Sequence, residues 1–378
     1  MKACPKRSGV HLKVGELTFE EFLEARTLWN DTLQRSLDNN VFLTWEWLSN
    51  WWKFYGNDRR FLLITVSDGE KMVAAAPLMS SKYKLYGLGL RKIEFIGTPA
   101  SDYHNFLLTD KEPEYVKMMV EYADSAEPEW DCIELQDVPE DSETTRALKT
   151  ISGKQFRLKE RMQNLCPCIL LPNSFEEYLQ SVGPNWRRNM RRWEKKLKKN
   201  YRIDFKVCND AEAIADGMKI LFDFHQKRWQ LKKQPGAFAD QNFRDFHLEV
   251  AKSFAERGWL TLNFLTLNDE PIAAGYAFNY GQKLFCYLSG FDPQYSEYEV
   301  GNLRHIYLIK YCIEKGLKEY DFLRGEESYK SLWNTVKRKN VEVRAIKRRM
   351  IPMFYDWVTK NEMFYPLTSM LGKHLLLR

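Results

Sequence analysis

A glycine-containing segment in the second half of the sequence has the features of an anion-binding loop. Residues 287–302 predict a strand that ends at Gly290, then a polar turn, then a helix opened by Gly301. The first backbone N–H groups of such a helix have no intrahelical partner, and the helix end carries about half a positive charge. A pyrophosphate could therefore dock there, and Gly301 would let it approach closely. In the alternative, the glycines only serve the turns of an ordinary strand-to-helix connection.

A second polar cluster, Tyr320–Lys330, follows one strand-helix-strand crossover later. If the two flanking strands are parallel neighbours, Asp292 and the charged loop from Arg324 to Lys330 leave the sheet at the same edge. Ligands of open sheets bind outside the carboxyl ends of such strands. The cluster is therefore a candidate site, and a solvated loop with local salt bridges is the alternative.

His225 is a third candidate because it shares a predicted helix face with Phe222 and Trp229. A neutral imidazole has a reference pKa of about 6.5, so it could take a proton from an attacking amine. A hydrogen-bonded core histidine is the alternative. The sequence Asp102-Tyr103-His104 in the first half is open to the same two interpretations.

A basic helix is predicted over residues 184–199. Eight of its residues from Arg187 to Lys199 are basic against Glu194 alone, so this segment carries +7 and the rest of the chain, of net charge +6, sums to −1. Clustered lysine and arginine could hold the phosphates of a nucleotide, a lipid or a tRNA. Apolar residues recur at intervals of four, three and four, which indicates that one face packs on protein. A solvated outer face is the alternative for the basic side.

Two further aromatic segments favour packing over binding. The tryptophans near residue 50 could stack on a sugar, but a helix this rich in tryptophan is more typical of a core; they are Trp45, Trp47, Trp51 and Trp52. The segment Met350–Arg378, with Phe354 and Trp357, could touch a membrane surface, although packing onto the domain is the stronger expectation.

The composition excludes several classes of protein. The chain has 378 residues, 44% of them hydrophobic and 29% charged, which is typical of two or three globular domains. No apolar run approaches the roughly 18 residues of a membrane helix, and no signal-peptide core follows Met1, so the expected location is cytoplasmic. The seven cysteines are scattered and expected to be reduced. Without a metal-binding motif, P-loop or nucleophile elbow, direct transfer chemistry is favoured and no metal is expected.

The order of predicted elements indicates a duplicated α+β (mixed α/β) fold. Residues 63–78 and 264–278 each predict two strands joined by a tight turn, and each hairpin is followed by further strands, a helix and another strand. A strand, a helix and a second strand form the crossover that parallel pairing needs. The predicted domains are residues 10–155, residues 156–350 and a helical tail over residues 351–378.

Several segments together carry a family resemblance. They are His225-x-x-Arg228-Trp229, Leu265 to Ala274, Tyr287-x-Ser-Gly-Phe-Asp292, Gly301-Asn-Leu and Tyr320 to Lys330 with Trp333. In this order they resemble the acetyltransferase-like proteins of the GNAT superfamily associated with cellulose and exopolysaccharide biosynthesis, which are cousins of the Fem-type aminoacyl transferases. The resemblance extends over about residues 42–348 and is strongest from Asn173 onward.

The resemblance implies two tandem GNAT-like domains, each with a mixed, mostly antiparallel sheet and one parallel crossover. It implies an acyl donor bound where the central sheet splays, with its pyrophosphate at residues 298–303. Only Gly301 matches the usual pattern of that loop, so the donor stays open between acyl-CoA, foremost acetyl-CoA, and an aminoacyl-tRNA. No tightly bound cofactor is expected. The cofactor-binding residues implied are Tyr287, Gly290, Tyr298, Gly301 and Asn302.

The implied reaction is attack by an acceptor amine, on a small molecule or a glycan, at the activated carbonyl of the donor. The amine must lose a proton, and the tetrahedral oxyanion needs hydrogen-bond donors or a cation. The base is expected to be His225 or Glu327 and the charge-stabilising group Lys330 or Arg228, with Asp292 completing the catalytic set. The reaction would belong to polysaccharide or cell-envelope biosynthesis. A further alternative is that the chain is a non-catalytic binding module of a polysaccharide-synthesis complex.

Overall fold

The computed structural model describes residues 11–85, 88–151, 156–208, 212–231, 233–347 and 349–360. Among these residues the chain forms two compact units: one contains the residues up to Gln163 and those from Asn340 onward, and the other contains Asn164–Lys339. The domain bounds expected from the sequence remain predictions. The part of the expected tail beyond residue 360 lies outside the described residues.

The elements are numbered in chain order. The strands are β1 (Leu12–Leu17), β2 (Arg59–Asp68), β3 (Lys71–Leu85), β4 (Leu88–Phe95), β5 (Leu107–Leu108), β6 (Cys132–Pro139), β7 (Phe156–Leu170), β8 (Ile203–Cys208), β9 (Leu260–Leu267), β10 (Glu270–Tyr280), β11 (Lys283–Phe291), β12 (Glu319–Asp321) and β13 (Val336–Lys347). The helices are α1 (Phe19–Glu24), α2 (Arg26–Arg35), α3 (Trp45–Tyr55), α4 (Pro113–Ala126), α5 (Glu143–Thr150), α6 (Phe175–Ser181), α7 (Pro184–Lys198), α8 (Ile214–Leu231), α9 (Gln241–Glu256), α10 (Val300–Glu314) and α11 (Met350–Lys360).

The first unit contains a mixed sheet in the order β1-β2-β3-β4-β6-β13, with β5 beside β3. Its strand pairs are antiparallel except for β4 and β6, which run parallel and are joined through α4. The core includes the fully buried Phe95 and Met119. Trp47 and Trp51 of α3 are also buried, and the indole of Trp47 donates to the hydroxyl of Ser101 at 2.9 Å. The tryptophan-rich helix is therefore part of the core, as its composition indicated.

The second unit repeats this plan with strands in the order β7-β12-β11-β10-β9-β8. Only β11 and β12 run parallel, and α10 makes the crossover between them. The β9–β10 turn places Asn268 at φ 49° and Asp269 at φ 72°, a left-handed conformation that these residues tolerate better than most. The apolar stripe of α7 is buried in the core of this unit, which confirms the periodicity prediction; it consists of Trp186, Met190, Trp193 and Leu197.

The mixed α/β fold class with two GNAT-like repeats is confirmed. Both predicted hairpins form, and each repeat has one parallel crossover in a mostly antiparallel sheet. One difference is at an element end: α10 begins at Val300, one residue before Gly301. Among the described residues, no helix combines the length and the apolar character that crossing a bilayer requires.

Candidate active site

A gap opens in the second unit where the two parallel strands separate. β11 and β12 pair only over Lys283–Phe285 and Glu319–Asp321; β12 then ends, whereas β11 continues to Phe291. The register of β11 with β10 also shifts, because Ala277 pairs with Cys286 and Tyr276 pairs with Leu288. The extra residue makes a bulge, which bends a strand and increases its twist. The parallel neighbours expected from the sequence are confirmed.

The N-terminus of α10 lies at this gap, because residues 299–302 line one pocket with Ser289 and Phe291 of β11 and with Tyr329 after β12. Glu299, at φ 54° and ψ 40°, is its N-cap residue and makes no side-chain capping hydrogen bond. Its carboxylate instead accepts from the side-chain amide of Asn302 at 2.9 Å. The first backbone N–H groups of α10 therefore have no side-chain cap, which is the arrangement that binds anions at helix ends.

A pocket of about 190 Å³ adjoins the start of α10. It is lined by Arg228, Ser289, Phe291, Ser296, Glu299, Val300, Gly301, Asn302, His305 and Tyr329. A Cβ atom added at Gly301 would lie 3.5 Å from the Phe291 ring, which is ordinary contact, and the backbone there is not left-handed. The fold therefore does not require glycine at this position. Because glycine has no side chain, however, the backbone itself forms this part of the pocket wall.

Arg228 lines the pocket, and Arg304 lies behind its wall beside His305. Arg228 is half-buried, its guanidinium lies 5.8 Å from the centroid of the Phe291 ring, and it makes no ion pair with any described carboxylate. Arg304, 2% exposed, donates to the Asn263 side-chain oxygen at 2.8 Å and likewise has no carboxylate partner within the described chain. A buried cation without a carboxylate is costly, so this side of the unit favours a negatively charged ligand.

His305 lines the pocket as a neutral imidazole. Burial, reinforced by Arg304, Lys330 and Arg228, holds its pKa well below the usual range. Its Nε2 lies 3.0 Å from the Arg304 guanidinium, which can only donate, so Nε2 accepts. Nδ1 then carries the proton and donates to the Tyr320 hydroxyl at 2.6 Å. With both ring nitrogens engaged, His305 is suited to shaping the pocket and poorly suited to accepting a further proton.

Lys330 holds the loop after β12 together. Its ammonium lies 3.1 to 3.4 Å from four successive backbone carbonyl oxygens, those of residues 322–325, and 2.8 Å from the carboxylate of Glu327. The three N–H groups of the Lys330 ammonium are thus shared among five acceptor groups, which leaves none for a ligand. The Glu327 carboxylate is 52% exposed. Burial, reinforced by the charge of Glu327, raises the pKa of Tyr329, which lines the pocket.

His225 of α8 does not line the pocket, and its ring packs against those of Trp229 and Phe238. Its Nε2 accepts from the Trp229 indole at 3.0 Å, and burial together with the charge of Arg228 lowers its pKa to about 3. A Cβ added at Gly290 would lie 2.5 Å from the backbone nitrogen of His225. Gly290 therefore lets α8 pack closely on β11.

Tyr287, which was expected to bind the cofactor, is a core residue. It is buried against the rings of His247 in α9 and Tyr276 in β10.

Asp292 and Tyr298 flank the pocket without lining it. Asp292 caps the short helix Pro293–Tyr298, accepting from the Gln294 amide at 3.1 Å and from the Lys227 ammonium at 3.0 Å. Burial opposes ionisation, but these hydrogen bonds outweigh it and lower the pKa of Asp292. The ring of Tyr298 lies 4.5 Å from the Lys196 ammonium.

The structure thus brings three of the ten sequence-predicted site residues to the pocket wall: Arg228, Gly301 and Asn302. It also adds residues that the sequence reasoning missed, above all His305 and Tyr329. A signal existed for both, because His305 follows Gly301 by about one helical turn and Tyr329 lies within the charged cluster. Among the described residues, no group of three or more metal-ligating side chains could hold a metal ion.

The basic face of α7 borders the short helix that leads into the pocket. Lys196 forms an ion pair with Glu297 at 2.7 Å, and the neighbouring Ser296 belongs to the pocket wall. Five exposed cations on α7 and at its C-cap make no ion pair with any carboxylate in the part of the chain described; they are Arg188, Arg191, Arg192, Lys195 and Lys199.

Comparison with known proteins finds a matching domain in the second unit and a shared fold. Residues 184–331 match the family described as "Acetyltransferase (GNAT) domain". A segment of the second unit is thus similar to GNAT acetyltransferase domains, and the chain shares the fold of solved structures such as that of FemX.

Individual relatives share the fold at low sequence identity. The structure of FemX is 12% identical with a TM-score of 0.59 and covers 88% of this chain and 96% of its own. L-PGS from Bacillus licheniformis is 13% identical with a TM-score of 0.53, covering 93% and 96%. The C-terminal domain of a putative lysylphosphatidylglycerol synthetase from Agrobacterium fabrum is 11% identical with a TM-score of 0.54, covering 94% and 97%. No curated protein matches the sequence.

Proposed function

We propose that the second unit transfers an acyl group, foremost acetyl, from acyl-CoA to the amine of a small-molecule or glycan acceptor. The observation that supports this most is the N-terminus of α10, which has no side-chain cap and opens into a pocket beside Arg228 where β12 has ended. The amides near Gly301 and Asn302 would bind the pyrophosphate, and Arg228 would balance negative charge on the donor or on the oxyanion.

The reaction requires one bond to form and one to break. The amine nitrogen attacks the thioester carbonyl and forms a C–N bond, the C–S bond breaks, and the CoA thiolate leaves. The proton lost by the amine goes to a base, and the thiolate takes a proton in turn. We assign the base role to Glu327, because its carboxylate is half-exposed and it precedes the pocket residue Tyr329 by two positions. His225 is less suited, since its Nε2 is occupied and its pKa is about 3. Lys330 positions the loop that carries Glu327.

The donor can be tested by ligand-induced stabilisation. Acetyl-CoA at about 100 times its Kd should stabilise the chain by about 2.7 kcal/mol, a rise in Tm of about 5 °C or more. The matched control is S-acetyl-N-acetylcysteamine, a thioester without the pyrophosphate, which should give no shift. Formation of an acetylated amine from labelled acetyl-CoA, detected by mass spectrometry across a panel of amino sugars and other small amines, would complete the test.

One observation favours a second candidate, an aminoacyl-tRNA donor. The unpaired cations of α7 lie beside the short helix that leads to the pocket, where they could hold an RNA backbone. In the same experiment, stabilisation by an aminoacyl-tRNA that falls steeply with salt, without a response to acetyl-CoA, would replace the first proposal by this one. If neither donor stabilised the protein, both transfer proposals would be contradicted, and a non-catalytic binding module would be the remaining interpretation.

The base assignment predicts a separation between catalysis and stability. Glu327→Gln should lower kcat about 100-fold or more, since a positioned base typically contributes that much. Its Tm should fall only modestly, because glutamine keeps an acceptor oxygen for the buried Lys330 but loses the charge of the ion pair. His225→Gln should lower Tm by disrupting the buried hydrogen bond with Trp229, while the folded fraction keeps its kcat. The reverse pattern, with kcat lost in the histidine variant and kept in the glutamate variant, would transfer the base role to His225.

A further inference from the structure

Helix α11 of the first unit presents an exposed apolar stripe. The stripe consists of Met350, Met353, Phe354 and Trp357, which are 88%, 60%, 41% and 53% exposed. Their spacing of three, four and seven residues places them on one helix face. The rings of Phe354 and Trp357 stack at 6.2 Å between centroids and form a continuous apolar surface.

The polar face of the same helix is directed inward. The Tyr355 hydroxyl donates to the buried Glu134 carboxylate at 2.9 Å. Asp356 lies 3.5 Å from the guanidinium of the buried Arg344 and 3.4 Å from the ammonium of Lys159. A helix on a water-facing surface normally buries its apolar stripe and exposes its polar residues. Here the polar contacts fix the opposite orientation.

The exposed charges beside the stripe are cationic. Lys159 and Arg161 of β7 have side chains 53% and 59% exposed, and each makes one ion pair with an inward-facing carboxylate, Asp356 or Glu342. Arg349, which precedes α11, is exposed and pairs with no described carboxylate. The carboxylates that make these contacts, Glu134, Glu342 and Asp356, are largely buried. The described part of the outer surface therefore combines apolar side chains with positive charge.

We propose that α11 lies flat on an anionic membrane surface, with the stripe inserted at the boundary between headgroups and acyl chains. Tryptophan, phenylalanine and methionine beside lysine and arginine are the composition that such interfaces select. The stripe exposes roughly 500 Å² by the usual areas of these side chains, less than the ~800 Å² per partner of a stable protein interface. A lipid surface therefore fits the area and charge better than a second protein. This inference does not depend on the proposed transfer reaction.

Vesicle co-sedimentation of the full chain tests the proposal. Vesicles of phosphatidylcholine with about one third phosphatidylglycerol should bind the protein more tightly than phosphatidylcholine alone, because each basic residue near an anionic surface contributes about fivefold. The double substitution Phe354→Ser with Trp357→Ser should weaken binding to the anionic vesicles at least tenfold, since both exposed side chains lose apolar area. The matched control is Leu231→Ser, at a helix residue of the second unit that is 70% exposed, and should change nothing.

The charge contribution has its own variant. Arg349→Ala should weaken binding to the anionic vesicles about fivefold and leave binding to neutral vesicles unchanged. Absence of vesicle binding by the unaltered chain, or equal binding by the double variant, would overturn the proposal. So would a change from dimer to monomer in the double variant by light scattering, which would make the stripe a protein interface.

Discussion

Replacing Gly301 by alanine is expected to weaken donor binding at least tenfold, measured as Kd or KM for acetyl-CoA, without lowering the stability of the protein. The added Cβ would make only ordinary contact with Phe291, and alanine is the better helix former, so Tm should stay the same or rise slightly. The methyl group would, however, occupy the pocket wall beside the first amides of α10 and keep a phosphate from approaching them. Titration calorimetry and a thermal melt of the same preparation measure both quantities.

A control glycine separates this effect from a general one. Gly89 has no atom within 4 Å of an added Cβ and is exposed, so Gly89→Ala should change neither Tm nor donor affinity. If Gly301→Ala bound the donor as tightly as the unaltered chain, the phosphate would not lie at this helix end. A large loss of Tm in Gly301→Ala would instead assign the glycine to the fold.

The fold was predictable from the sequence because its signals are local. Asn268 and Asp269 mark a tight turn between two apolar runs, and the strand, helix and strand around Gly301 are each separated by turn residues. Right-handed crossovers then leave few arrangements, so β11 and β12 could be expected to be parallel neighbours. Element ends were less predictable: α10 starts at Val300 because the left-handed Glu299 ends the preceding turn.

The site was only partly predictable, because side-chain roles depend on packing that spacing does not reveal. Gly290 and Gly301 occur in similar polar contexts, yet the first makes room for the backbone of α8 and the second borders the pocket. Lys330 was expected to stabilise a reaction charge, but the path of its own loop surrounds the ammonium with carbonyl oxygens. His305 could not be assigned to the pocket from the sequence, because packing of α10 on the sheet decides which of its side chains line the pocket.

The largest expected effect on stability comes from Glu134, at the centre of a buried charge network in the first unit. Its carboxylate lies 3.2 Å from the Lys92 ammonium and 3.3 Å from the Arg344 guanidinium, and it accepts from Tyr355. Burial alone would raise its pKa, but the two cations outweigh burial and lower the pKa to about 2 from an ordinary 4.5. Glu134→Gln should therefore reduce the free energy of unfolding at pH 7 by about 3 to 5 kcal/mol, measured by urea denaturation.

The pH dependence of the free energy of unfolding distinguishes the loss of the Glu134 charge from a change in side-chain packing. Because the folded-state pKa lies below the unfolded one, the stabilisation is complete above about pH 4.5 and is lost as the pH falls toward 2. The difference between the unaltered chain and Glu134→Gln should thus shrink to roughly 1 kcal/mol near pH 2.5. Glu114, whose exposed carboxylate pairs with Lys117 at 3.2 Å, is the matched control, and Glu114→Gln should cost less than about 1 kcal/mol at pH 7. A deficit in Glu134→Gln that stayed constant between pH 7 and 2.5 would show that packing, and not the ionised carboxylate, stabilises this part of the unit.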